Sequence, residues 1–158
     1  MPILGDGVKI GYLTGSPPQY LNIPFLDELS AVPIPVADEL ANTTHGTNGY
    51  KTVGDGLLSV APFTTTHYYD GENEAIDDVI AAAFARTPVE IRIEIPADEL
   101  KTTFKAIQLT AKVSAAIAAP KDNWQRVTFT WRYAGDYDGA EFATPGASEI
   151  VDAVSPAL

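Results

Sequence analysis

The most regular pattern of hydrophobic and polar positions in the chain lies between residues 89 and 96. Apolar and charged side chains alternate strictly there, in the order Val89-Glu90-Ile91-Arg92-Ile93-Glu94-Ile95-Pro96. This two-residue period predicts a β-strand that ends at Pro96, with an apolar face toward a core and a charged face toward solvent. A strand of this kind is not stable alone, so the pattern also predicts neighbouring strands.

A stretch with helical periodicity precedes this strand. Its apolar residues recur at steps of three and four and predict a helix over residues 74–86, with a single apolar stripe made of Ile76, Val79, Ile80, Ala83 and Phe84. Asn73 is the predicted N-cap, and Arg86 is expected in the last turn. Thr87-Pro88 ends the helix, because a residue before proline is pushed out of the α region.

The remaining apolar runs predict further strands. Alternating or β-rich stretches occupy residues 8–13, 57–69 with a break at Pro62, 103–113 and 124–133. Residues 114–123 are small and predict a turn. Residues 19–36 contain three prolines, which favour an extended arm or an edge strand over a central strand.

These elements predict a mainly β fold, a two-sheet β-sandwich or partly closed barrel with one flanking α-helix. We expect a β domain over residues 1–134, with an N-terminal arm and a long polar loop at 42–56. Residues 135–158 contain five acidic residues and no basic one, and they predict a loop followed by a loosely held acidic tail.

Composition narrows the functional classes. The chain has 158 residues, no cysteine and a net charge of −11, which excludes thiolate chemistry and disfavours a nucleic-acid groove. The charge is unevenly placed, since residues 86–132 hold eight of the ten basic residues. The acidic surplus either keeps the protein soluble or faces a polyanion that must not bind. No long apolar segment or signal peptide is evident, so we expect no membrane association.

A catalytic site is not indicated. The two histidines, His45 and His67, lack the spacing of a metal-ligand pair. Asp77 and Asp78 are adjacent in the predicted helix and are explained by its dipole. Trp124, Trp131 and Tyr133 could form a platform on which bases stack. The sequence indicates no basic groove around them, so packing in the core or in an interface is favoured. The sequence therefore predicts no enzyme activity, no cofactor and no metal.

The order of motifs after residue 32 resembles that of a known family. A polar loop contains Asn42-Thr43-Thr44-His45 and Gly49-Tyr50, and Gly54-Asp55-Gly56-Leu57 opens the next strand. Tyr68-Tyr69-Asp70, the helix and the alternating strand follow. Over residues 32–138 this order resembles the major tail tube proteins of long-tailed bacteriophages with non-contractile tails.

The resemblance implies a fold shared with the inner tubes of contractile tails and type VI secretion systems. It implies that six copies form a ring, that rings stack into a tube and that double-stranded DNA passes through without specific binding. The expected location is the virion tail, after assembly in the host cytoplasm, with tape measure, tail terminator and tail-tip proteins as partners. The resemblance also implies that the contact between stacked rings involves Thr43, Thr44, His45, Gly49 and Tyr50.

The resemblance leaves one electrostatic question and two other functions open. Arg92, Arg126 and Arg132 lie on polar strand faces, and on a channel wall they would need carboxylate partners to avoid retaining DNA. A tail terminator or tail-tip ring protein would have the same fold without stacking. A β-sandwich that binds a small ligand or carbohydrate is the third hypothesis, based on exposed tyrosine and tryptophan residues.

Overall fold

The computed structural model describes residues 7–31, 34–42 and 52–152. Within these ranges the chain forms ten strands and two helices in the order β1 (Lys9–Thr14), β2 (Gln19–Asn22), β3 (Leu26–Leu29), β4 (Val36–Asn42), β5 (Thr52–Ser59), β6 (Phe63–Tyr68), α1 (Glu74–Ala85), β7 (Val89–Pro96), β8 (Phe104–Ala118), β9 (Arg126–Asp138), α2 (Ala140–Ala143) and β10 (Ile150–Val151). Neither of these helices is long and apolar enough to cross a membrane.

Eight strands form one curled sheet that resembles half a barrel. Their order across the sheet is β10-β2-β1-β7-β8-β9-β6-β3, and β4 and β5 form a separate antiparallel pair. The predicted mainly β fold with a flanking helix is confirmed, and the structure adds the short helix α2.

The core lies between α1 and the apolar face of the large sheet. Ile93 on β7 is paired with Ile107 on β8, and Ile76 and Val79 of α1 pack in the same buried cluster. Asn73 caps α1 by accepting a hydrogen bond from the Ile76 amide at 3.2 Å. The predicted helix and the bounds of the alternating strand are therefore confirmed. The helix ends one residue early, because the backbone of its C-cap, Arg86, is left-handed with φ 58°.

The β8–β9 hairpin is longer than the sequence predicts. The predicted turn at 114–123 is wrong for residues 114–118, which continue β8 and pair with β9 through contacts such as Ala115 opposite Phe129 and Ala118 opposite Arg126. Small residues have weak strand propensity, and here the long partner strand β9 decides the conformation. Because β7 pairs with β8 only between Phe104 and Ala111, residues 112–118 pair with β9 alone among the described strands.

The C-terminal segment is also more ordered than predicted. The expected boundary after Ala134 falls inside β9, and β10 pairs in parallel with β2 through Ile150 opposite Tyr20. Gly11 permits this close approach, since a Cβ there would lie 3.1 Å from Ile150 Cγ1. The loosely held tail is therefore wrong for residues 135–152, and residues 153–158 lie outside the described residues.

Two other predictions for the first third of the chain need correction. Residues 52–56 belong to β5 rather than to the predicted loop at 42–56. Strand β2 lies between β10 and β1, although a central strand was not expected within residues 19–36. The prolines fall outside Gln19–Asn22, so every backbone N–H of β2 remains available for pairing. Strand β3 is the edge strand that the proline pattern favours.

Candidate assembly surfaces

The residues predicted to contact a neighbouring ring are not placed by the structure. Thr43, Thr44, His45, Gly49 and Tyr50 lie outside the described residues. The structure does describe the base of the connection that carries them, because β4 and β5 pair in antiparallel fashion up to Asn42 opposite Thr52. A two-stranded hairpin outside the main sheet is thus the element that leads into this segment.

Among the described strands, none covers either edge of the large sheet. Strand β3 forms one edge of the described sheet, and the two-residue strand β10 forms the other. Unpaired edges present rows of backbone N–H and C=O groups that another chain can pair with. The half-barrel therefore has edges through which further copies could extend it.

Two of the three charged residues of β7, Arg92 and Glu94, are buried, which corrects the prediction of a solvated face, whereas Glu90 is exposed. Arg92 and Glu94 are both 0% exposed, and Arg92 Nε donates to Glu94 Oε2 at 2.8 Å. Arg92 Nη2 donates to Glu141 Oε2 at 2.6 Å, and Nη1 lies 3.2 Å from Glu149 Oε2. Ser148 Oγ and the Glu149 amide donate to the two oxygens of Glu94 at 2.6 and 2.8 Å.

We call these five residues the Arg92 cluster. It holds α2 and the segment before β10 against the sheet. Burial alone would lower the pKa of Arg92, but its hydrogen bonds to Glu141 and Glu94 outweigh that effect and raise the pKa. The sequence signal was present in the Glu-Arg-Glu alternation and in the acidic residues after 138. Their proximity depends on long-range folding, so sequence reasoning missed it.

The other two arginines have different surroundings. Arg126 lies 3.8 Å from Asp27 Oδ2, and its guanidinium lies over the Tyr68 ring at 5.3 Å. Arg132 is exposed and has no ion pair among the described residues. Among the described residues, Arg92 has carboxylate partners at short distance, Arg126 has one at longer range and Arg132 has none.

Arg132 belongs to a groove between α1 and the outer part of β8, which we call the α1–β8 groove. Its volume is about 640 Å³, and its lining includes Ile80, Phe84, Arg86, Lys112, Arg132 and Tyr133. Phe84 is 86% exposed, although it was predicted on the apolar stripe of the helix. Sequence reasoning did not find this groove, which combines exposed aromatic rings with three cations.

A second groove, near the turn of the β8–β9 hairpin, is lined by aromatic side chains. Phe25, Tyr68, Tyr69, Asp70 and Trp124 line a space of about 570 Å³, and Trp124 is 75% exposed. The structure does not bring the predicted aromatic set into one exposed platform, since Trp131 is fully buried.

His67 is a buried structural residue. Its Nδ1 lies 3.0 Å from the Pro24 carbonyl, which only accepts, so Nδ1 carries the proton and Nε2 accepts from the Thr65 hydroxyl at 3.1 Å. The Thr65 oxygen in turn accepts from Trp131 Nε1 at 2.9 Å. Burial lowers the pKa of His67 to about 4 and keeps the ring neutral. Among the described residues no acidic and histidine side chains cluster as a metal site.

The adjacent helical aspartates do not form an acid–base pair. Asp78 Oδ2 accepts from the Tyr12 hydroxyl at 2.7 Å, which ties α1 to β1. Burial, together with this hydrogen bond, raises the pKa of Tyr12. Asp77 lies in the first turn, as the helix dipole favours.

No protein-family model matches the sequence, and no curated protein matches it. Solved structures do match the fold. The tail of an empty gene transfer agent particle with C6 symmetry matches at a TM-score of 0.67 and 13% identity, over 87% of this chain and 98% of that chain.

Two further structures agree. The SPP1 tail tube matches at a TM-score of 0.62 and 15% identity, over 87% of this chain and 80% of that chain. The 6-fold symmetrised baseplate of the anti-feeding prophage matches at a TM-score of 0.63 and 13% identity, over 87% of this chain and 95% of that chain. At these identities the likeness is one of fold, and it confirms the fold expected from the motif order: this chain has the tail tube fold of phage-like particles.

Proposed function

We propose that this chain is the structural subunit of a virion tail tube and not an enzyme. The observation that carries the proposal is the match of nearly the whole described fold to subunits of assembled tails, including one with C6 symmetry. In this proposal six copies close into a ring, rings stack, and double-stranded DNA passes through the tube at ejection from a non-contractile tail. Tape measure, tail terminator and tail-tip proteins complete the tail, which is assembled in the host cytoplasm.

Open sheet edges support ring formation. Copies that meet edge to edge satisfy the unpaired backbone groups of one another, and a heterologous contact repeated around an axis closes into a ring. The β4–β5 pair supports stacking, because the segment with Thr43, Thr44, His45, Gly49 and Tyr50 connects two strands that pair outside the large sheet.

The charge of the chain is consistent with a DNA conduit. A wall that conducts DNA must not retain phosphates, and a surplus of carboxylates repels them. Arg92 does not compromise this argument, since the Arg92 cluster encloses its charge with three carboxylates.

Deleting residues 43–50 tests the stacking role. The wild-type chain should form stacked rings in electron micrographs at high protein concentration, and the deletion variant should stop at single rings. A Lys121→Ala variant in the β8–β9 turn is the control and should stack as wild type does. Stacking by the deletion variant would contradict the assignment of this segment.

A second candidate function is a tail terminator or tail-tip ring of the same fold. The observation that favours it is the match to a baseplate structure. Such a protein would form rings that never stack, and deletion of residues 43–50 would leave its assembly unchanged. A carbohydrate-binding role is supported only by the aromatic groove around Trp124, and a thermal shift with a panel of sugars would favour it.

A further inference from the structure

The outer part of β8 and β9 contains an unfavourable arrangement of charge. Lys112 and Arg132 lie directly opposite each other in the β8–β9 register, and Arg86 lines the same groove. Like charges directly opposite in a sheet are destabilising. Among the described residues none of these three cations has an ion pair. The chain contains 21 acidic residues, so its composition does not explain why no described carboxylate lies beside these cations.

The apolar part of the groove is also uncovered. Phe84 is 86% exposed and Tyr133 is 43% exposed, and both lie beside the three cations. Exposed aromatic rings with adjacent arginine side chains are typical of protein interfaces. The groove therefore has the composition of a surface that binds an acidic protein segment.

The other end of the same helix has the complementary charge. Glu72, Glu74 and Asp77 are exposed around the N-terminus of α1 and have no ion pair within the part of the chain that the structure describes. Along the helix axis Glu74 lies about 18 Å from Arg86, and the rigid helix holds the two apart. One copy cannot bring its own acidic end into its own groove, but a second copy can.

We propose that the α1–β8 groove of one copy binds the acidic N-terminal end of α1 of the next copy. The contact is heterologous, so every copy uses both surfaces, and a rotation that brings the last copy back to the first closes the contacts into a ring. It neutralises Lys112 and Arg132 and aligns the helices head to tail. This inference rests on the proposed tube function and identifies the residues that join subunits within a ring.

Charge reversal tests the contact. Arg132→Glu should raise the protein concentration needed for ring formation by about 100-fold, because it places like charges against each other. Lys121→Glu makes the same change of charge in the β8–β9 turn and should leave ring formation unchanged. Ring formation is measured by analytical ultracentrifugation and electron microscopy, and thermal unfolding checks that each variant folds. Arg132→Gln, which removes the charge without reversing it, should give a smaller shift in the same direction.

A charge swap within one chain identifies the partner surface. Combining Arg132→Glu and Lys112→Glu with Glu72→Lys and Glu74→Lys restores complementarity between copies, so rings should return. Failure of this combined variant to form rings, with its fold intact, would overturn the assignment of the α1 end as the occupant. Normal rings from Arg132→Glu would overturn the contact while leaving the tube function standing. Absence of rings from the wild-type chain would instead count against the tube function.

A DNA titration separates this proposal from phosphate binding. Wild-type protein mixed with a short DNA duplex at physiological salt should show no binding by fluorescence anisotropy. Binding that Arg132→Glu abolishes would assign the groove to phosphate and overturn the proposal.

Discussion

The Arg92 cluster and the α1–β8 groove differ in the burial and the carboxylate partners of their arginine side chains. In the cluster one buried guanidinium is enclosed by three carboxylates and the hydrogen bonds around them are satisfied. In the groove three exposed cations share one surface and have no carboxylate among the described residues. The first region is complete within one copy, and the second is completed only by another molecule.

The difference shows why an alternating strand does not reveal its own environment. Arg92 on β7 and Arg132 on β9 both occupy polar positions of alternating strands and look equivalent in sequence. The segment from α2 to β10 covers Arg92, and no described segment covers Arg132. Removing a cation that its own chain covers leaves a buried carboxylate unpaired, whereas an uncovered cation is available for assembly.

Substituting each arginine by methionine sharpens the contrast. Arg92→Met should lower the free energy of unfolding by about 3–5 kcal/mol, because it leaves Glu94 buried without a cation. Arg132→Met should change it by about 0.5 kcal/mol or less, since the side chain is exposed. Urea unfolding measures both, and similar losses in the two variants would contradict the contrast.

His67 is expected to make the stability of the fold depend on pH. Its pKa is lowered to about 4 in the folded chain from 6.5, so the unfolded chain takes up a proton at higher pH than the folded chain does. Its contribution to stability is complete above pH 6.5 and is lost as the pH falls toward 4, by about 3 kcal/mol in total. Urea unfolding at a series of pH values should show this slope, and His67→Asn should flatten it. If the free energy of unfolding of His67→Asn depended on pH as that of the wild type does, groups other than His67 would cause the loss of stability in acid.

Removal of a single hydroxyl probes the edge of the Arg92 cluster. Ser148→Ala deletes the 2.6 Å hydrogen bond to Glu94 Oε1 and should lower the free energy of unfolding by about 1–2 kcal/mol. Ser114→Ala, on the exposed part of β8, is the matched control and should have little effect. Equal losses would show that the hydroxyl does not act through Glu94.

Local patterns predicted the parts of the fold that depend on neighbouring residues. The bounds of β7 and the cap of α1 at Asn73 followed from periodicity and capping chemistry alone. The extension of β8 through Ala118 could not be predicted, because its small residues take their conformation from β9. The cover over Arg92 depends on contacts with Glu141 and Glu149 more than 45 residues away.

The candidate surfaces were predictable to different degrees. The resemblance drew attention to residues 43–50, which lie outside the described residues and stay a prediction. The α1–β8 groove gave no sequence signal, since Arg86, Lys112 and Arg132 are distant in the chain and meet only through the β8–β9 register and the end of α1.

The central claim is that identical copies of this chain assemble into a tube. Cryo-electron microscopy with image averaging of the concentrated wild-type protein tests it most directly. We expect rings with six-fold symmetry that stack into tubes, with the α1–β8 groove of each copy occupied by its neighbour. A monodisperse monomer at every concentration, in the presence of tail-tip proteins as well as alone, would contradict the account.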